Sequence, residues 1–266
     1  MSLTLTILGC GSSGGVPRLG NQWGKCDPYN SKNVRMRCSV LLRRVRPEGA
    51  TNVLVDTSPD MRQQLLNAGC GDLDAVVYTH EHADHTHGID DLRMIVINRR
   101  AVLPVYADGR TQTSIMGRFG YAFYTPEGSP YPPILKMHNI DEDVPLTIEG
   151  KGGPITLTPI PVEHGTQGAL GFRIGDTAYM PDVSDIPDSS LVHLEGLRLW
   201  IVDCLRETPH PSHFNLEASL NWIEKVQPQE AILTNLHVDL DYVDLAARTP
   251  EHISPAFDGR EVSISA

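Results

Sequence analysis

A chain of 266 residues, 40% hydrophobic and 21% charged, has the composition of an ordinary globular protein with length enough for a sizeable core. Its formal net charge of −11 speaks against a protein that tracks along a nucleic-acid backbone through Lys and Arg, but leaves room for a small anion held at a local cation. No apolar run approaches the roughly 20 residues of a membrane helix. The start lacks a basic n-region, and the five scattered cysteines (Cys10, Cys26, Cys38, Cys70, Cys204) form no disulfide framework, so a cytoplasmic protein is expected.

In chain order, short β-branched apolar runs predict strands at LTLTIL, SVLL, NVLVD, DAVVYT, LPVYA, ITLTPIPV, ALGFRI, TAYM, RLWIVD, EAILT and VSIS. Between them, SPDMRQQLLNAG opens on a Ser-Pro start signal and stops at Gly69, and HGIDDLRMIVINR, TQTSIMGRF and FNLEASLNWIEKV carry helical spacing. No repeat or linker interrupts the order. Strands in bunches with helices interspersed predict an α/β fold in a single domain over residues 1–266, with two packed mixed sheets and helices on the outer faces. The segment from Tyr121 to Pro133, rich in Pro, Gly and Tyr, reads as an irregular insertion.

The densest chemistry follows DAVVYT, in YTHEHADHTHG. His80 and His82 leave the strand at i and i+2 and so point to one side, while Asp84 and His85 start the turn into a helix. Neutral imidazoles with a carboxylate suit Zn²⁺, Mn²⁺ or Fe²⁺. A His-rich surface loop is the bland alternative, but such loops need no distant partners. Here His164 in PIPVEHGT, Asp182 in AYMPDVS and His237 in AILTNLHVD each end an apolar run. One alone would be a cap or a turn residue; three together point to a metal site.

These signatures, with Asp56 in VLVDTS, resemble the metallo-β-lactamase superfamily over nearly the whole chain. The resemblance implies its four-layer αβ/βα sandwich and a two-metal centre. One cation would take His80, His82 and His164; the other would take Asp84, His85 and His237; Asp182 would bridge them, and Asp56 would fix the loop without ligating. Two divalent cations, set against Asp84, Asp182 and a bridging hydroxide, leave about one positive charge, and ions roughly 3.5–4 Å apart suit attack by that hydroxide on a phosphodiester.

Two further segments narrow the resemblance. GCGSSGGVPRLG could form a backbone nest for an anion through Gly14 and Gly15, although a plain flexible loop explains a glycine run equally well. In CLRETPHPSHFNLEAS, His213 precedes a helix and could give a proton to a leaving oxygen or hold a phosphoryl oxygen, with His210 as the rival. Together with HADHTHGIDDLR they resemble the phosphoribosyl 1,2-cyclic phosphate phosphodiesterase (PhnP-like) branch. Relatives of that type hold a structural zinc on a cysteine cluster after GVP and a histidine three positions beyond the last ligand. Here only Cys26 and Leu240 stand there, so no separate structural zinc is expected.

The expected protein is a hydrolase with two divalent ions, Zn or Mn, acting on a small cyclic phosphate or nucleotide-like diester. Asp84 and His213 are the expected catalytic groups, and a nucleoside monophosphate is a possible product-like ligand. Neither an extended nucleic acid nor a membrane is expected as partner; a homodimer is possible. The alternatives are a thioester or other acyl hydrolase on the same centre, and a non-catalytic ligand-binding member of the superfamily. Glu81 is expected to be solvated, and His87 exposed or supporting. Arg93 and Arg206 could contact substrate or serve surface ion pairs, and His138, His193 and His252 read as surface residues.

Overall fold

Among the described residues fourteen strands take up the predicted apolar runs and three segments besides. A computed structural model of the chain describes residues 2–125, 127–142 and 144–265. The first half runs β1 (Ser2–Gly9), β2 (Ser39–Arg46), β3 (Gly49–Val55), α1 (Met61–Asn67), β4 (Ala75–Val77), α2 (Ala83–Thr86), α3 (Leu92–Arg99), β5 (Leu103–Ala107), α4 (Gly109–Phe119) and β6 (Leu135–Asn139). The second runs β7 (Leu146–Ile148), β8 (Ile155–His164), β9 (Gln167–Ile174), β10 (Thr177–Met180), β11 (Leu199–Asp203), α5 (Leu216–Val226), β12 (Glu230–Thr234), α6 (Tyr242–Arg248), β13 (Ile253–Pro255) and β14 (Arg260–Ile264).

The strands form two seven-stranded sheets, ordered β14-β1-β2-β3-β4-β5-β6 and β13-β12-β11-β10-β9-β8-β7. From β14 to β3 the first sheet is antiparallel, and from β3 to β6 it is parallel. The second repeats that plan, antiparallel from β7 to β10 and parallel from β10 to β13. The two sheets thus share a pairing plan that the sequence does not display as a repeat, and β14 crosses from the second half of the chain to complete the first sheet.

Alternation along each strand builds the four layers. Leu3, Leu5 and Ile7 of β1, Val53 and Val55 of β3, Phe172 of β9 and Leu199 and Ile201 of β11 meet between the sheets. The residues in between face outward. Leu41, Leu54 and Val76 pack under Met61, Leu92 and Ile95 of α1 and α3, while Trp200 and Val202 pack under Ile223 and Leu245 of α5 and α6. Central strands covered on both faces have no polar positions, which is why they read as continuous apolar runs. Asp108 caps α4 by accepting from the Thr111 amide, and Asn215 caps α5 by accepting from Ala218.

The expected α/β sandwich of two mixed sheets with outer helices is the observed one. β6, β7, β13 and α6 were not anticipated. Among the described residues no helix is long and apolar enough to cross a membrane. All five cysteines are free and buried. In the 121–133 segment, Pro126 lies outside the described residues. Tyr131, Pro132 and Pro133 line a groove with Val96 and Ile97 on α3.

Candidate metal centre

Parallel strands bring their C-terminal ends to one rim, and there the predicted residues gather. β4 ends just before Thr79 and His80; His82 is the residue preceding α2; β8 ends on His164; Asp182 follows β10 by two residues. Ligand atoms of His80, His82, His164 and Asp182 all lie within 4.8 Å of one another. His164 Nε2 stands 3.1 Å from His82 Nδ1, and both His80 Nε2 and His164 Nε2 are 3.7 Å from Asp182 Oδ2. Two imidazole lone pairs at that spacing repel unless a proton or a cation lies between them.

The far ends of the rings decide which nitrogen is free. Thr79 Oγ1 donates to Asp56 Oδ2 at 2.8 Å, so its oxygen accepts from His80 Nδ1 at 3.0 Å. His164 Nδ1 donates to the Ser212 carbonyl at 2.6 Å. Nε2 of both rings is left bare toward Asp182, and His80 Nε2 is buried with no hydrogen-bond partner among the described residues. Burial holds His80 well below the usual histidine range and lowers His164 too, which keeps both neutral. Neutral, oriented imidazoles beside a buried carboxylate are what a zinc-like cation requires, so this donor set fits one.

His85 lies in a more acidic setting. Its Nδ1 donates to Asp56 Oδ2 at 2.8 Å, and its Nε2 is 3.3 Å from Asp182 Oδ1 and 3.7 Å from Asp84 Oδ2. Burial pulls its pKa down, but Asp182, Asp56 and Asp84 outweigh that and raise it well above the ordinary value. A cation between these carboxylates would displace that proton. Asp56, at φ +65°, also accepts from the Thr79 amide, which makes it the loop-fixing residue expected. His237 is oriented by Asp239, which accepts from Nδ1 at 2.6 Å, and its Nε2 lies against the Arg18 guanidinium.

His213 adjoins the centre. Its ring is 4.6 Å from that of His164, and its Nδ1 donates to Asp203 Oδ2 at 2.8 Å. Asp203, the last residue of β11, also accepts from Asn235 Nδ2 at 3.0 Å and from the Val183 amide at 3.1 Å. Burial raises Asp203 to about 6, and although burial pulls His213 down, Asp203 and Asp182 raise it to about 9. His210, the rival, accepts from the Ser212 amide and sits 5.1 Å from His213, ring to ring.

Some expectations need correction. Glu81 is not solvated: it is buried and paired with Arg110 at 3.2 Å, because the turn that aims His80 and His82 inward presses the intervening residue under α4. The amide of Gly15 is bonded to the Ser12 carbonyl at 2.8 Å, so it is no free nest donor, whereas Gly14 does line the adjacent cavity. Arg93 pairs with Asp90, and Arg206 donates to the carbonyls of Thr208 and Pro209. His87 is exposed, against Phe119. The buried Arg35 guanidinium donates to the Leu240 carbonyl at 2.8 Å and lies 3.8 Å from Cys26 Sγ. The sequence reading missed Asp203, Asn235 and Asp239, which show only as ordinary polar residues at strand ends, and Arg18 in the glycine-rich segment.

A family model described as "Beta-lactamase superfamily domain" matches residues 51–235. An octanoyltransferase of Porphyromonas gingivalis (strain ATCC BAA-308 / W83) is 36% identical over 263 residues, 97% of this chain and 51% of that protein. The chain therefore spans about half the length of that relative. Among solved structures, one described as a new diphosphatase from the PhnP family matches with a TM-score of 0.85 at 35% identity, covering 99% of this chain and 98% of the other. YhfI of Bacillus subtilis, a metallo-β-lactamase fold protein, matches at 0.71 and 20% identity over 98% and 99% of the two chains, which shows the shared fold.

Proposed function

The chain belongs to the metallo-β-lactamase superfamily as a PhnP-like member, and from that premise we propose that this metal-dependent hydrolase cleaves a phosphodiester in a small cyclic phosphate or nucleotide-like substrate. The observation that carries the proposal is the convergence of His80, His82, His164 and Asp182 within 4.8 Å beside the His213–Asp203 pair. In this reading His80, His82 and His164 hold one cation, Asp84, His85 and His237 hold a second, and Asp182 serves both. The 3.3 Å and 3.7 Å approaches of Asp182 and Asp84 to His85 Nε2 support the second set. Divalent ions there, zinc or manganese, would supply a water of lowered pKa and positive charge for the phosphoryl oxygens.

The chain's own groups have defined tasks. Asp56 and Thr79 lock the rings of His85 and His80, so the donors are placed before substrate arrives. His213 has its Nδ1 committed to Asp203, which leaves Nε2 to give a proton to the leaving oxygen or to hold a phosphoryl oxygen. Asp203 itself is fixed by Asn235 and Val183, so the imidazole cannot rotate away. A nucleoside monophosphate should occupy the same place as a product-like anion.

Protein loaded with Zn²⁺ or Mn²⁺ should hydrolyse bis(p-nitrophenyl) phosphate and 2′,3′-cyclic nucleotides and spare an octanoyl thioester and a β-lactam. Turnover confined to the thioester or the lactam would end the proposal and leave acyl hydrolysis in its place.

A further inference from the structure

Glu81, the residue between the first two histidines, is buried, and α4 holds it by both its side chain and its backbone. Arg110, the second residue of that helix, pairs with the Glu81 carboxylate at 3.2 Å. Arg118, about two turns further along, donates to the Glu81 backbone carbonyl at 2.8 Å. The helix is itself fixed at its start, where Asp108 accepts from the Thr111 amide. Packing alone would not call for a carboxylate in this place, because burying one is unfavourable unless it is paired.

Arg110 reaches beyond the loop. Its guanidinium also donates to the Gly168 carbonyl. Gly168 lies opposite Glu163 in the β8–β9 ladder, and the next pair of that ladder is His164 with Gln167. One guanidinium therefore joins the loop that carries His80 and His82 to the hairpin that carries His164. The Leu170 amide, which donates to the Thr79 carbonyl at 2.9 Å, ties the same two segments through backbone. Across the span so fixed, His164 Nε2 stands 3.1 Å from His82 Nδ1. Two nitrogens on one tetrahedral zinc lie about 3.3 Å apart, given Zn–N bonds of roughly 2.0–2.1 Å. The span is thus near its metal-bound value before any cation enters.

We propose that Arg110 is a positioning residue for the first cation: by gripping Glu81 and Gly168 together it sets the span between the His80–His82 loop and the His164 hairpin. Arg118 holds the loop's peptide in line while it does so. Without the Arg110 guanidinium, Glu81 is a buried carboxylate with no counter-charge. It then moves out to solvent, drawing the His80–His82 backbone with it, or turns in against the cation. The inference rests on the metal centre and is independent of which ester is cleaved.

Zinc titration of the metal-stripped full chain against a chromophoric chelator reads the affinity. The visible absorption of the cobalt-loaded protein reads the ligand geometry, and melting of the metal-free protein follows the fold. Arg110→Gln should weaken one of the zinc-binding steps by about tenfold to a hundredfold, the scale on which groups that support metal ligands act, and should alter the cobalt spectrum. Arg110→Lys keeps a charge for Glu81 but lacks the fork that reaches Gly168 as well, so it should lose less. Adding Glu81→Gln to Arg110→Gln removes the unpaired carboxylate and should recover part of the affinity, which a general loss of packing would not allow. Wild-type zinc affinity and cobalt spectrum in both Arg110 variants, or in the lysine variant alone should the glutamine one not fold, would overturn the inference. A lowered melting temperature with unchanged zinc affinity would do the same, leaving Arg110 as a support for the fold only. A wild-type chain that binds no zinc would overturn the metal centre itself. Fully metallated protein that leaves bis(p-nitrophenyl) phosphate intact would remove the phosphodiester reading and leave this one standing.

Discussion

His213 shows how far one side chain's chemistry is set by its neighbours. Its Nδ1 proton is held by Asp203, a buried carboxylate that Asn235 and the Val183 amide fix in turn. Replacing His213 with Ala removes the proposed proton donor but none of the proposed cation ligands. Metal content should stay at the wild-type level while kcat falls by roughly 10²–10⁴, the range for a positioned acid–base group; an unchanged kcat would take His213 out of the mechanism. The pH profile carries a second prediction. Burial lowers the imidazole, yet Asp203 and, while no cation engages it, Asp182 raise it to about 9. The donor function proposed for it is present below the pKa of the imidazole in the metal-loaded protein and is lost as pH rises through it. Asp203→Asn removes the largest raising charge, so the alkaline limb of the kcat profile should move to lower pH. A limb that stays in place would mean that another group titrates there.

Helices and turns separate glycines that are required from glycines that are not. In the turn after α2, a Cβ on Gly88 would stand 2.0 Å from the Ser58 carbonyl oxygen, which is backbone and cannot step aside. Gly88→Ala should destabilise the protein by about 1–3 kcal/mol, as overpacking does. Gly117, exposed in α4, would meet nothing within 4 Å, and Ala there should stabilise by about 0.5–1 kcal/mol. Denaturant melts of the two variants should shift in opposite directions. The same local view explains what was legible in the sequence. Central strands such as β4, β11 and β12 are covered on both faces and read as unbroken apolar runs, whereas β6, β7 and β13 are sheet edges with weaker patterns. The proposed imidazole ligands stood out because His80 and His82 leave a strand together and His164 and His237 close apolar runs far along the chain. Asp203 was missed because a carboxylate closing RLWIVD looks like any strand-end polar residue, and its tie to His213 crosses a ten-residue loop. Arg18 was missed because its contact with His237 spans 219 positions, which no local motif records.

At the scale of the whole molecule, the two sheets repeat one plan, three antiparallel pairings followed by three parallel ones, with β14 crossing over from the second half of the chain to complete the first sheet, and the parallel ends of both open on the same rim. The proposed donors are divided between the two halves of the chain. His80, His82, Asp84 and His85 come from the loop after β4 in the first half, and His164, Asp182 and His237 come from β8, β10 and β12 in the second. A cation bound across that seam therefore crosslinks the halves, besides neutralising Asp56, Asp84 and Asp182 around His85. Anything that binds the folded chain and not the unfolded one stabilises it by mass action, by about 2.7 kcal/mol at a hundredfold excess over Kd. Chelation should thus lower Tm, and restoring Zn²⁺ should raise it in proportion to the logarithm of free metal. Asp182→Ala, which removes the carboxylate lying within 3.7 Å of the Nε2 atoms of His80, His85 and His164, should abolish both turnover and most of that metal-dependent rise. A Tm indifferent to metal in the wild type, with stoichiometric metal still bound, would show that the seam is held by the β-sheet core alone and that the cations do not crosslink the halves.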